Sequence, residues 1–257
     1  MELSEEEKKE ELLGMCLFDD VFFEVAAEDP KVCEEIIQTI LNDDTIQVLN
    51  VIVQDEERVI GGRTIVVDAL CELENGVLCN IEVQQANNIN HVKRVRYHSS
   101  VITAKKSDPG IKFDKISTLY IIYISRDDIF HDGKTVYHVN SVVEETGKTI
   151  DDGLHRIFVN AEINDNSKTA QLMECFKTPD FENGNFPILT DKVRDMRYGE
   201  GGRKVMTKSE ELIMRGKLEG KLEDQLEVYT RCIEEGMTKE MALKISGLPE
   251  DKIPADE

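Results

Sequence analysis

Residues 66–85, VVDALCELENGVLCNIEVQQ, constrain this chain more than any other stretch. Two runs rich in Val, Leu, Ile and Cys flank Glu74-Asn75-Gly76, so 63–73 and 77–84 read as the strands of a β-hairpin. Each strand carries an acid in apolar company. Asp68 interrupts the first, Glu82 interrupts the second, and Gln84 follows two residues on. Register decides whether the acids meet. A two-residue Asn75-Gly76 loop sets Asp68 opposite Val83 and sends the carboxylates to opposite faces, because a one-residue slip inverts every side chain. A three-residue loop, with Gly76 in the left-handed position of a G1 bulge, sets Asp68 opposite Glu82 and Cys71 opposite Cys79. Polarity selects the second register. It gathers Ile65, Val67, Ala69, Cys71, Cys79, Ile81 and Val83 on one face, and Asp68, Glu72, Asn80, Glu82 and Gln84 on the other.

The segments around the hairpin give an α/β order. Helices are expected near 4–14, 17–28 and 30–41, the last with Pro30 in its first turn and an apolar stripe through Val32, Ile36, Ile37, Ile40 and Leu41. Residues 46–54 read as a strand. A basic helix is expected over 88–106, ending before Ser107-Asp108-Pro109-Gly110. The run STLYIIYIS, 117–125, is apolar almost throughout and suits a central strand covered on both faces. Strands near 135–141 and 154–160 and helices near 166–177 and 188–198 complete this part. From about 205 the texture changes to one long charged helix with apolar residues at Leu212, Leu218, Leu222, Leu226 and Ile233, followed by two short helical pieces. The organisation read from these shifts is an acidic helical segment over 1–14, a core domain over 15–204 and a helical tail over 205–257.

Charge and cysteine usage narrow the function. The net charge of −21 argues against a chain that coats nucleic acid by bulk electrostatics. The acids are uneven, however. His91 to Lys115 holds seven Lys and Arg against Asp108 and Asp114, directly after the acidic hairpin. Six cysteines without a C-x-x-C pair or zinc spacing read as reduced, buried thiols. No apolar run approaches the roughly 18–20 residues of a membrane span, and the N-terminus has no apolar signal region, so a cytoplasmic location and no membrane partner are expected.

Facing carboxylates repel one another. Two outcomes stay open on hairpin geometry alone: the acids lie on a wet sheet face, or they are held together for a purpose. In a partly buried site, one acid takes up a proton or a hard divalent cation sits between the two.

More of the chain resembles one known family. Asp19-Asp20-Val21-Phe22-Phe23 opens the core. Gly62-Arg63-Thr64-Ile65-Val66-Val67-Asp68 and Ile81-Glu82-Val83-Gln84 follow, then the helix motif Arg94-Val95-Arg96-Tyr97, with His98 where many relatives have a second Tyr. YIIYISRDDIF, IFVNAE and the charged tail resemble later segments of the same family. In order and spacing the chain is similar to the PD-(D/E)XK nuclease superfamily, in the group of recombination-promoting nucleases or PD-(D/E)XK family transposases.

The resemblance implies a restriction-endonuclease-like α/β core, with a central mixed sheet flanked by helices, and Mg²⁺- or Mn²⁺-dependent hydrolysis of phosphodiesters in double-stranded DNA. It makes Asp68 and Glu82 the metal ligands, with the Val83 carbonyl a third, and Asp68, Glu82 and Gln84 the catalytic set. Asp20 or Glu24 is the candidate for a further acid on the first core helix. Gln84 stands where the superfamily usually has Lys, so it brings a hydrogen-bonding amide but no charge. Arg94 or Lys93 is the candidate to supply that charge, and Lys93, Arg94, Arg96 and Tyr97 form the expected phosphate and DNA contact. For Arg94 and Tyr97, a second reading has Tyr97 packing while Arg94 pairs with an acid of the site. The rival function is a non-cleaving DNA-binding or protein-interaction module on the same core. A third reading joins the chain to partners, or to its own copies, through the helix at 205–235.

Overall fold

The computed structural model describes residues 5–57, 65–85 and 90–253. Gly62, Arg63 and Thr64 of the strand motif lie outside the described residues. By internal contacts the chain divides into Met1–Val205 and Met206–Glu257.

In the first unit, three helices, α1 (Glu5–Gly14), α2 (Asp20–Ala27) and α3 (Pro30–Leu41), lead into strand β1 (Val48–Glu57) and the hairpin β2 (Ile65–Leu73) and β3 (Leu78–Gln84). Helix α4 (His91–Lys105) then crosses to β4 (Leu119–Ser125). A short edge strand β5 (Val136–Val139) and a small hairpin β6 (Ser141–Val143) and β7 (Lys148–Ile150) precede β8 (Leu154–Asn160). Helices α5 (Lys168–Lys177) and α6 (Pro187–Tyr198) close the unit. The main sheet runs β1-β2-β3-β4-β8-β5. Its β3–β4 and β4–β8 pairs are parallel and the others antiparallel, so it is the expected mixed sheet. The β6–β7 hairpin escapes the sequence reading, because it is too short to show a period.

Both faces of the sheet are covered. Successive strand residues point to opposite faces. Leu70 therefore faces α4, in a core with Val95, Val101, Ile102, Leu119, Ile121, Tyr123 and Phe158. Cys71 faces the other way, against Cys33 of α3. The α2–α3 side is fixed by two buried charged residues. Glu34 accepts from the Val48 N–H at 2.9 Å, which ties α3 to the start of β1. Arg197 of α6, 4% exposed, donates to the carbonyls of Leu12, Leu13 and Met15 and satisfies the end of α1. Helix α2 packs over β2, and its first residue, Asp20, acts on the hairpin acid Asp68.

Helix α7 (Gly201–Glu234) starts in the first unit and runs into the second. Within the second unit, Tyr229 and Cys232 of α7 pack on Ala242 of α8 (Lys239–Ser246) and on Leu248. Thr238 caps the start of α8 by accepting from Met241 N–H, and Gly247 ends it at φ +66. Residues 212–218 of α7 leave Leu212, Ile213, Met214 and Leu218 exposed. All six cysteines are unpaired and buried.

Candidate metal centre and active site

The β2–β3 hairpin takes the three-residue loop. Its pairs are Ala69 with Ile81, Leu70 with Asn80, Cys71 with Cys79 and Glu72 with Leu78. A 3-10 turn at Glu74–Gly76 joins the strands, and Gly76 lies at φ +73, where a residue with a Cβ is strained. The Leu73 N–H closes the turn on the Val77 carbonyl at 2.8 Å. One more step of this register brings Asp68 opposite Glu82. There the ladder ends, and Asp68 Oδ2 accepts from the Val83 N–H at 2.8 Å. The N–H and C=O of one strand residue point to the same side, so the Val83 carbonyl also faces β2.

Around Asn80 and Glu82 the polar face of the hairpin is not wet, whereas Glu72 further along it is exposed. Helix α4 covers the face at Glu82, which is 2% exposed. Its Oε1 accepts from Asn80 Nδ2 at 2.7 Å and from His98 Nδ1 at 2.8 Å. A carboxylate only accepts, so Nδ1 of His98 carries the proton. Glu82 Oε2 has no hydrogen-bond partner among the described residues. Its charged neighbour is Arg94 Nη2, 3.6 Å away. Burial, and then the charge of Glu82, push the Asp68 carboxyl well above the usual range, while the Val83 N–H and Arg94 act in the opposite direction. Asp20 adds to the upward push on Asp68. Its own carboxyl is raised by burial and by Asp19 and lowered by Arg94. The arrangement is a cluster of acids with one arginine beside it.

Each residue expected at the site has a definite place. Asp68, Glu82, Val83, Asp20 and Arg94 come together. Glu24 is half-buried one turn further along α2. Gln84 is half-buried at the end of β3, beside Ser125 of β4, and lines a small hollow with His91, Arg126 and Asp127. Lys93 and Arg96 are exposed on α4. Tyr97 packs against the α4 core and Arg94 lies beside Glu82.

Asn80 and His98 are the residues that sequence reasoning left without a role. The signal for His98 was its spacing: four residues after Arg94, it shares a helical face with it, and both meet Glu82. A further pair lies behind them. Tyr123, next to Glu82 in the β3–β4 register, bonds His91 Nδ1 at 2.7 Å. Burial pushes the Tyr123 phenol up to about 12 and the His91 imidazole down, and the His91 tautomer sets which of the two donates.

The donor set fits a hard divalent cation. A buried carboxylate oxygen without a partner, a second carboxylate raised by its neighbour, and a backbone carbonyl turned to the same side are oxygen ligands of the kind Mg²⁺ and Mn²⁺ take. Among the described residues no group of three or more His, Cys, Asp and Glu side chains is arranged to hold a metal. A cation here would rest on two carboxylates, backbone and water, the partly hydrated mode that Mg²⁺ favours.

A mixed sheet clad in helices on both faces, with an acid pair on its central hairpin, defines a restriction-endonuclease-like α/β protein. The chain belongs to the PD-(D/E)XK nuclease family transposases, whose family model matches residues 20–178. That span takes in Asp20, both hairpin acids and all of α4. No curated protein and no solved structure matches the chain. Membership supports a nuclease function connected with transposition. No helix among the described residues is long and apolar enough to cross a membrane.

Proposed function

We propose that this chain is a metal-dependent endonuclease that hydrolyses phosphodiester bonds of double-stranded DNA in recombination or transposition. The observation that carries the reading is the carboxylate pair Asp68 and Glu82, with Glu82 Oε2 buried and lacking a hydrogen-bond partner. Asp68, Glu82 and the Val83 carbonyl would hold Mg²⁺ or Mn²⁺. Such an ion, when bound, lowers the pKa of its water and offsets charge on the scissile phosphate. The chain's own residues do the rest. His98 and Asn80 hold Glu82 Oε1, which leaves Oε2 as the oxygen that would hold an ion. Gln84 orients the attacking water through its amide. Arg94 brings the positive charge that a lysine at position 84 would have brought. Lys93 and Arg96, exposed on the same helix, steer the DNA backbone towards the pair.

Plasmid nicking with Mg²⁺ or Mn²⁺, comparing the native chain with Asp68→Ala, tests this. Nicking that is lost in the variant supports the endonuclease. The second reading, a non-cleaving DNA-binding or protein-interaction module, draws on Gln84 in place of Lys and on Arg94 beside Glu82. DNA binding without nicking by either protein supports it. The exposed apolar stretch of α7 supports a homo-oligomer formed through that helix. Six unpaired thiols suit a reducing compartment, the cytoplasm.

A further inference from the structure

We propose that Arg94 is a resident counter-cation, which neutralises the acid cluster while no metal is bound and gives up its place to the divalent ion. The inference rests on the metal-site reading above and adds a competition to it. Three observations on Arg94 and one on Glu82 lead to it.

First, Arg94 Nη2 is 3.6 Å from Glu82 Oε2, beyond hydrogen-bond reach. The guanidinium is an electrostatic neighbour and not the two-pronged partner that carboxylates usually find in arginine. Second, Arg94 lies within electrostatic reach of Asp68 and Asp20 as well as of Glu82. One positive charge serves three acids. Third, the Arg94 side chain is 40% exposed and is fixed by no hydrogen bond among the described residues. It can swing towards solvent without breaking one. Fourth, Glu82 stays where it is when Arg94 moves, because His98 and Asn80 hold its other oxygen.

A divalent ion bonded to Glu82 Oε2 and a guanidinium at its present distance from the same atom would be like charges in contact. The two therefore exchange. The ion takes the space between Asp68 and Glu82, and Arg94 turns outward to the side from which a phosphate approaches. Metal binding thereby releases a cation for DNA, which couples the two ligands in one direction: each favours the other through Arg94. The device also explains how a site with Gln84 in place of a lysine keeps its buried acids compensated in the metal-free protein.

The test is isothermal titration of Mn²⁺ into the full chain and into Arg94→Met, which keeps the stem and removes the charge. Arg94→Met is expected to bind Mn²⁺ about three- to tenfold more tightly than the native chain, the effect of removing one nearby like charge from a partly exposed site. Arg94→Lys, which restores the charge, returns the affinity towards the native value. Metal-free Arg94→Met unfolds at a lower temperature than the native chain and gains more on adding Mn²⁺. Equal or weaker Mn²⁺ binding by Arg94→Met overturns the exchange and leaves the metal site standing. Absence of binding by both proteins, or binding that Asp68→Asn does not diminish, overturns the metal site itself.

Discussion

His98→Ala is the substitution that probes the clamp on Glu82 most sharply. His98 is 6% exposed and Glu82 2%. The variant deletes the 2.8 Å bond to Glu82 Oε1 and leaves a buried carboxylate with Asn80 as its hydrogen-bond donor. A lost bond to a charged acceptor costs about 1.5–3 kcal/mol. The gap left by the imidazole adds about 1–2 kcal/mol. The sum is roughly 2.5–5 kcal/mol. For a domain of this size that lowers the melting temperature by roughly 10 °C. Denaturant unfolding followed by circular dichroism measures the loss as a lower midpoint at unchanged slope. The cycle with Glu82→Gln isolates the interaction. Against glutamine, His98→Ala should cost at least about 1 kcal/mol less, because no buried charge is left behind. A cost for His98→Ala below about 1 kcal/mol, or one equal in both backgrounds, would refute the clamp.

Other consequences follow from the same geometry. The Asp68 carboxyl is raised in the folded protein, so the native state holds a proton that the unfolded chain has already lost, and metal-free stability falls as pH rises from the ordinary aspartate range to the folded value. Asp68→Asn removes that loss. At neutral pH in a chelator it should be more stable than the native chain by on the order of 1 kcal/mol, with no advantage below the ordinary aspartate range, and thermal melts from pH 4 to 8 will show the sign. Gly76→Ala places a side chain at φ +73 with no atom within 4 Å of its Cβ, so it pays only backbone strain, about 1–2 kcal/mol, read as a reduced denaturant midpoint. Leu212→Glu with Leu218→Glu in the full chain should reduce the mass seen by light scattering if α7 joins two copies, and leave plasmid nicking by each chain intact.

The sequence made the hairpin register legible because polarity has a period of two. Only the three-residue loop keeps Asp68 and Glu82 on one face and Val67, Val83 and the two cysteines on the other, and Gly76 supplies the backbone that loop requires. The central place of β4 was legible from its composition, since Leu119–Ser125 is apolar almost throughout and suits a strand covered on both faces. What lies over the acids was not. Asn80, Glu82 and Gln84 alternate as residues of a wet face would, and nothing in that alternation reveals that α4 covers them. The cover is encoded elsewhere, in Val95, His98, Val101 and Ile102, whose helical spacing shows a buried face but not which sheet face it meets. Arg94 and Tyr97 were legible as near neighbours on a helix. Their different fates, one towards Glu82 and one into the core, depend on which way α4 is turned, and that is set by packing.

The central claim is that Asp68 and Glu82 converge on one hard cation. A crystal of the full chain soaked in Mn²⁺ and measured for anomalous scattering tests it most directly. The account predicts a single strong peak at about 2.0–2.3 Å from an Asp68 oxygen and from Glu82 Oε2, with Arg94 turned away. A strong peak elsewhere with none between these two carboxylates, or Arg94 still seated against Glu82 at saturating Mn²⁺, would contradict it.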